Sequence, residues 1–424
     1  MSSNSEARHP WDLDVIQPQS FDIVIKVAER CNLACSYCYY YMQEFSGNNY
    51  TPFITEEVMA EVPQFLLRSA QDLNIGRFRI VFHGGEPLLL KKSRFDQFCQ
   101  GLSATLEGHA LVDFAVQTNG TLVDSEWIDL FERHKVAMGV SIDGTPDQHD
   151  LRRKDHHGRG SYQAAVCGLR LLQQAEQEGR IPSVGAICVV NPVEDSAKVL
   201  HHCVQDLNIH DTNLNFPRGG WDSPEVLRWD QAVDSHRNIV RYTLDNLVHP
   251  QFHYVRSISD VLLTLRSEKG ARINDWRRSR RHHIATISSE GALLVDDNML
   301  GLDSRFADTG LKIFGTSLRD LLDSDLWRTL DAAIDQVPVE CQTCKWYRSC
   351  RSGELYNRYA KRNGFQNHSA ICETLKMVHS EVAEFLHRRT SLTVGDLDAL
   401  LARPSTCTAK TTRAMVERPR AGSH

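Results

Sequence analysis

The stretch FDIVIKVAERCNLACSYCYYY, from Phe21 to Tyr41, decides both the fold and the chemistry. Its first half is an apolar, β-branched run, the pattern of a buried strand. Its second half places Cys31, Cys35 and Cys38 in a C-x3-C-x2-C spacing on the loop that leaves this strand. Similar runs begin at Arg77 (RFRIVFH), Val112 (VDFAVQT), Ala137 (AMGVSID), Val184 (VGAICVV) and Thr212 (TNLNF). Stretches of helical period separate them, among them ITEEVMAEVPQFLLRSAQ from Ile54 and SYQAAVCGLRLLQQAEQ from Ser161. In the first, Thr55 is the expected N-cap, Glu56 and Glu57 favour the positive end of the helix dipole, and Pro63 is a candidate kink. Six strand and helix alternations predict an α/β fold, a partial (β/α)6 TIM-like barrel of parallel strands with functional groups at their C-terminal ends.

Outward from the barrel the pattern changes. We expect an N-terminal extension over 1–20, the barrel over 21–220, a helical bridge over 221–284, a cysteine-rich domain over 285–389 and a largely disordered C-terminal segment over 390–424. ATISSEGALLVDD, from Ala285 to Asp297, reads as a hairpin turning at Ser289-Glu290-Gly291, and ETLKMVHSEVAEFLHRR, from Glu373, as a helix. The chain has 424 residues, 41% hydrophobic and 24% charged, the balance of a globular protein. No apolar run approaches the ~20 residues needed to span a bilayer, so no membrane role is expected. The formal charge of −6 gives no basic excess for nucleic acid. MSSNSEARHPWDLD lacks the pattern of a secretory signal, so a reducing, cytoplasmic setting is expected. There, twelve cysteines point to metal ligands before disulfides.

Three thiolates within eight residues suit a cubane cluster that keeps one iron open, because soft sulfur selects iron-sulfur or zinc and a structural zinc wants four closed ligands. Cys341, Cys344, Cys350 and Cys372 form a second group, C-x2-C-x5-C-x21-C, which suits a closed site of zinc or a fully ligated 4Fe-4S cluster. Cys99, Cys167, Cys188 and Cys203 read as inert core residues, Cys407 as a free thiol in the tail, and the pairs His156-His157 and His282-His283 as ordinary histidines.

With these residues the sequence resembles the radical S-adenosylmethionine (SAM) enzymes. The resemblance rests on the cysteine triad with Tyr37 before its last member, and on motifs at successive strand ends: His83-Gly84-Gly85-Glu86-Pro87, Gln117-Thr118-Asn119-Gly120, Ser141-Ile142-Asp143-Gly144, and Arg153 followed by Gly158-Arg-Gly160-Ser161-Tyr162. It implies that Gly84, Gly85 and Glu86 hold the SAM ammonium, that Gln117, Thr118, Asn119, Ser141 and Asp143 contact its ribose or methionine part, and that Arg153 faces its carboxylate. The second cysteine group resembles the last cluster site of the SPASM extension found in peptide- and protein-modifying members. SPASM domains usually carry another auxiliary cluster, but Asp296 and Glu354 stand where its cysteines would fall. The resemblance therefore implies two 4Fe-4S clusters, one binding SAM and one auxiliary. Asp297 aligns with a catalytic carboxylate of some sulfatase-maturing relatives.

YCYYYMQ, CQTCKWYRSCRSGELYNRY and GFQNHSAICETLK most resemble maturases of ribosomally made peptides that join an aromatic ring to a β-carbon in a three-residue cyclophane. The expected substrate is a precursor peptide, the expected partner an electron donor such as flavodoxin or ferredoxin. With thirty residues before Cys31, leader recognition is expected from the enzyme itself or a separate leader-binding protein. The alternatives are a sulfatase-type formylglycine maturase, a thioether-forming or epimerising maturase, and, from another class, a non-catalytic iron-sulfur or zinc scaffold that binds a peptide.

Overall fold

The computed structural model describes residues 20–41, 51–189, 196–215, 218–223, 233–246, 254–267, 270–271 and 283–402. Its strands are β1 (Ser20–Ala28), β2 (Arg77–Gly84), β3 (Leu111–Thr118), β4 (Ala137–Ser141), β5 (Val184–Val189), β6 (Asp211–Asn215), β7 (Tyr254–Val255), β8 (Ile284–Ile287) and β9 (Leu293–Leu294). They form one sheet in the order β7-β6-β5-β4-β3-β2-β1-β8-β9. Every pairing from β7 to β8 is parallel, and only β8 with β9 is antiparallel. Helices α1 (Glu56–Leu73), α2 (Lys92–Leu106), α3 (Ser125–Arg133), α4 (Pro146–Arg152) and α5 (Tyr162–Gln177) supply crossovers between β1 and β5. The six-strand expectation holds within a larger sheet.

β1 lies inside the sheet and buries both faces: Phe21, Ile23, Ile25 and Val27 are fully covered, and Lys26 is only 1% exposed. On α1, Val58, Val62, Phe65, Leu66, Ser69 and Leu73 recur at helical spacing and are buried against the sheet. Thr55 caps this helix by accepting from the Val58 amide at 3.2 Å, and the helix continues through Pro63 as one element.

The expected hairpin turns where the Gly291 amide donates to the Ser288 carbonyl at 3.0 Å. Its first strand, β8, runs beside β1 with Ile23 opposite Ala285, so the hairpin extends the barrel sheet. A second core joins the two halves of the chain: Val240, Leu244, Ile258 and Leu265 pack with Met377, Val382 and Phe385. These belong to the helices Val233–Asn246, Arg256–Arg266 and Cys372–Arg389. Glu381 of the last accepts from Arg237 at 2.5 Å and Arg241 at 2.9 Å across the same seam. One feature departs from the expectation: Cys167 is exposed, on the outer side of α5, and not in the core; Val394–Ala402 forms a short helix at the start of the C-terminal segment. Residues 1–19, Cys407 with the rest of the tail, His282 and much of the expected bridge lie outside the described residues.

Candidate functional site

The register of β1 and β2 shifts between Lys26 and Ala28, just before the chain leaves the sheet. A bulge re-aims the strand end, here toward the cysteine loop. That loop is fastened to the end of α4: the Ala34 amide donates to the Lys154 carbonyl at 2.7 Å and the Ser36 amide to the Arg152 carbonyl at 3.0 Å. Cys31, Cys35 and Cys38 are half-buried free thiols at one end of the barrel. Burial pushes Cys31 up to about 12 and also raises Cys35 and Cys38. A thiolate there needs compensating positive charge, which cluster iron supplies, so the donor set fits an iron-sulfur group. Among the described residues no three His, Cys, Asp or Glu side chains close on a single ion. A cubane does not ask for that, because each of its thiolates binds a different iron.

The strand-end motifs gather around this loop. The amide of Gly85 donates to the Ala28 carbonyl at 2.7 Å and that of Glu86 to the Arg30 carbonyl at 2.8 Å. Gly84 has φ +133°, and a Cβ on Gly85 would meet the Arg30 carbonyl oxygen at 2.3 Å. The glycines thus let the end of β2 close on the start of the cysteine loop. Glu86 is fully buried and accepts from Thr118 Oγ1 at 2.7 Å and from the amides of Asn119 at 2.8 Å and Leu88 at 3.0 Å. Its carboxylate fixes the end of β3 in addition to any contact with a ligand ammonium. Asn119 Nδ2 donates to Asn32 Oδ1 at 2.8 Å, and Gln117 Nε2 to Ser141 Oγ at 3.0 Å. Arg153 donates to the Tyr37 hydroxyl at 2.5 Å, and Tyr37 donates to Asp143. Asp143 also accepts from the Val189 amide at 3.0 Å. The nine residues expected to contact SAM, together with Tyr37, therefore share one end of the sheet with the three thiols.

A second buried group stands beside the loop. Lys26 Nζ donates to Asp297 Oδ2 at 2.8 Å, and the Tyr39 hydroxyl donates to the same oxygen at 2.7 Å. Lys26 also lies 3.1 Å from Nδ1 of His83, its register partner on β2. An ammonium can only donate, so Nδ1 accepts and the ring proton sits on Nε2. Burial, then the charge of Lys26, pushes His83 down to about 3 and keeps it neutral. Burial alone would raise Asp297, but Lys26 above all, with Arg218, outweighs it and holds this carboxyl ionised. Its neighbour Asp296 is raised, by burial and by the Asp297 charge. The Arg218 guanidinium lies over the Tyr39 ring, 4.3 Å from its centroid.

The other four cysteines also meet. Cys341, Cys344, Cys350 and Cys372 line one small cavity with Trp346, Tyr347, His368, Lys376 and His379. Burial raises Cys372 to about 12, and the negative charges of Cys350 and Cys341 would add to that. Four thiols facing a shared enclosed space suit a closed cluster site. A separate surface cleft between Phe306, Leu326, Tyr359 and Phe365 contains none of the site residues.

Lys26, Tyr39, His83 and Arg218 surround Asp297, and the sequence alone assigns none of the four a role there. Lys26 carried a signal, a lysine inside an otherwise apolar strand. Asp297 reaches it only because β8 and β9 join β1, 271 residues earlier in the chain.

Comparison with known proteins agrees with this arrangement. Residues 25–202 match the Radical SAM superfamily model. The uncharacterized protein sll1766 of Synechocystis sp. is 25% identical over 371 residues, 84% of this chain and 87% of that protein. A cysteine-type anaerobic sulfatase-maturating enzyme of Clostridium novyi is 22% identical over 366 residues, 84% of this chain and 94% of that one. Among solved structures, a tagged form of anSMEcpe with bound AdoMet superposes with a TM-score of 0.72 at 18% identity, covering 87% of this chain and 98% of that one. Native anSMEcpe with bound AdoMet and the Cp18Cys peptide gives 0.70 at 20% identity, covering 87% and 97%. At these identities the structural likeness establishes the fold.

Proposed function

We propose that this radical SAM superfamily enzyme, which acts on a peptide, forms an intramolecular carbon-carbon cross-link between an aromatic ring and a β-carbon of a ribosomally made precursor. Cys31, Cys35 and Cys38 would hold the iron-sulfur cluster, and with SAM bound there the pair would supply one-electron chemistry that abstracts a hydrogen atom from the peptide. The chain's own residues do the rest. Gly84, Gly85, Glu86, Gln117, Thr118, Asn119, Ser141, Asp143 and Arg153, with Tyr37, would hold SAM at the strand ends. After the ring is attacked it must lose one proton and one electron to regain aromaticity. Asp297 would take the proton, and the four-thiol site at Cys341, Cys344, Cys350 and Cys372 would hold the group that accepts the electron.

The observation that carries this reading is the Asp297 carboxylate, kept ionised by Lys26 at 2.8 Å and linked through Tyr39 to the cysteine loop. A fixed, buried carboxylate at that point suits an oxidative step that sheds a proton. The relatives called sulfatase-maturating enzymes favour a second reading, oxidation of a Cys or Ser side chain to formylglycine. Against it stands the single four-thiol set among the described residues, with Asp296 and Glu354 in place of further ligands. An electron donor such as flavodoxin or ferredoxin, and leader recognition by the enzyme itself or by a separate leader-binding protein, belong to the same proposal.

Co-expression with the precursor peptide tests it. The cross-link should lower the peptide mass by two hydrogens per event and block fragmentation inside a three-residue aromatic-x-x segment. An aldehyde-reactive product confined to one Cys or Ser would replace this reading with the sulfatase type, and unchanged mass with an inverted centre would replace it with epimerisation.

A further inference from the structure

Arg218 follows β6 in the chain and joins the buried group around Asp297. Its guanidinium covers the Tyr39 ring at 4.3 Å, and the hydroxyl of that ring donates to Asp297. Tyr356, in the short helix Leu355–Arg358, is another of its electrostatic neighbours. Stacking on a ring face leaves the N–H donors of the guanidinium over. Arg218 Nη1 is sealed from solvent and has no hydrogen-bond partner among the described residues.

A guanidinium cannot shed its charge, so a buried N–H without an acceptor carries the full desolvation cost. The charges around it sharpen the point. Lys26 and Arg218 are two cations, Asp297 is the carboxylate held ionised between them, and Asp296 is pushed toward its neutral form. Among the described residues no acceptor meets Arg218 Nη1, and the acceptor that completes a planar guanidinium best is a carboxylate. Arg153, with Tyr37 and Asp143, stands apart at the end of α4, whereas Arg218 shares Tyr39 with Asp297. Whatever Arg218 binds is therefore presented to Asp297.

We propose that Arg218 binds a carboxylate side chain of the peptide substrate and so selects peptides with an acidic residue beside the position that reacts. This rests on the reading of Asp297 as the group that serves the peptide. The other source of the same chemistry is the carboxylate of SAM, and the experiment separates the two.

Calorimetric titration of the anaerobically purified holoprotein, with SAM present and no reductant, provides the test. The probes are the N-acetylated, C-amidated peptides Gly-Trp-Gly-Asp-Gly and Gly-Trp-Gly-Asn-Gly. Wild type should bind the Asp peptide roughly tenfold more tightly, as a charge-assisted hydrogen bond implies. Arg218→Gln should erase that preference by weakening the Asp peptide alone, and Arg218→Lys should keep part of it, with SAM affinity and iron content unchanged in both. Equal binding of the two peptides by wild type, or a preference that survives in Arg218→Gln, overturns the proposal. So does a loss confined to SAM affinity, which would give the guanidinium to SAM. Should Arg218→Gln fail to fold, the wild-type peptide pair with Arg218→Lys still decides. An Asp preference in an enzyme that forms no cross-link supports the anchor and sinks the cross-linking reading; a cross-linking enzyme without the preference does the reverse.

Discussion

Lys26, 1% exposed, is set in a strand whose neighbours are Ile25 and Val27, a position that only a buried partner makes tolerable. Its partner is Asp297, and each explains the other: the ammonium keeps the carboxyl ionised, and the carboxylate keeps the lysine in the core. Asp297→Asn should retain iron and 5'-deoxyadenosine formation yet lower cross-linked product by about 10²- to 10⁴-fold, the range of a lost general base. Product formation at normal rate by this variant would remove Asp297 from the chemistry. In Lys26→Met the cation that lowers Asp297 is gone, so its pKa rises. A carboxyl with a raised pKa protonates earlier as pH falls, and the acid limb of product formation should therefore move upward by about one unit or more relative to wild type. Lys26→Arg should restore much of the wild-type limb. Leaving Asp297 unpaired should also cost about 3–5 kcal/mol of stability, read as a lower Tm. A pH–rate profile of iron-replete Lys26→Met that coincides with wild type would count against the pairing as the source of the carboxylate's charge.

At the scale of elements, the site depends on how closely the ends of β1 and β2 approach. Gly85 sits where a Cβ would lie 1.9 Å from the Tyr41 hydroxyl and 2.3 Å from the Arg30 carbonyl, both at the margins of the cysteine loop. Gly85→Ala should push that loop away and destabilise the fold by about 1–3 kcal/mol. It should also lose the cluster iron and 5'-deoxyadenosine formation that depend on the triad while keeping the iron of the four-cysteine site. Gly101, within α2, has no atom within 4 Å of its would-be Cβ. Gly101→Ala is the matched control and should be neutral or stabilising by up to about 1 kcal/mol, because alanine is the better helix former. Equal iron content and Tm in the two variants would show that the approach at Gly85 is not limiting.

On the scale of the whole molecule, the two cysteine groups are carried by separate cores. The triad stands on the core built from Phe21, Ile23, Phe65, Phe78 and Phe82, and the second group on the core that contains Trp346, Ile371 and Val382. Anaerobically reconstituted protein should hold roughly eight irons, and changing Cys31, Cys35 and Cys38 together to Ala should leave roughly four. Metal analysis that finds zinc at the C-terminal group, or roughly twelve irons, would contradict two 4Fe-4S clusters.

The six barrel strands, Thr55 as a helix cap and the helix Cys372–Arg389 were legible in the sequence because periodicity and capping act over a few residues. The cysteine triad was equally plain, since its three thiols come from one loop. The sequence also marked Asp297, but by alignment with a family position and without its surroundings. Tertiary structure decided what those surroundings are. β8 adds in parallel beside β1, β9 folds back on it, and Asp297 arrives against Lys26 and Tyr39. β7, two residues long, gave no period to read, and the place of β8 in the sheet is a pairing across more than 250 residues that no local pattern records. The same holds for Arg218: in the sequence it is one arginine after a strand, and only its place over Tyr39 turns it into a half-buried cation with a sealed donor to spare. Local periodicity is written in the chain itself, whereas the charge state and the partners of a buried side chain depend on what folding brings beside it.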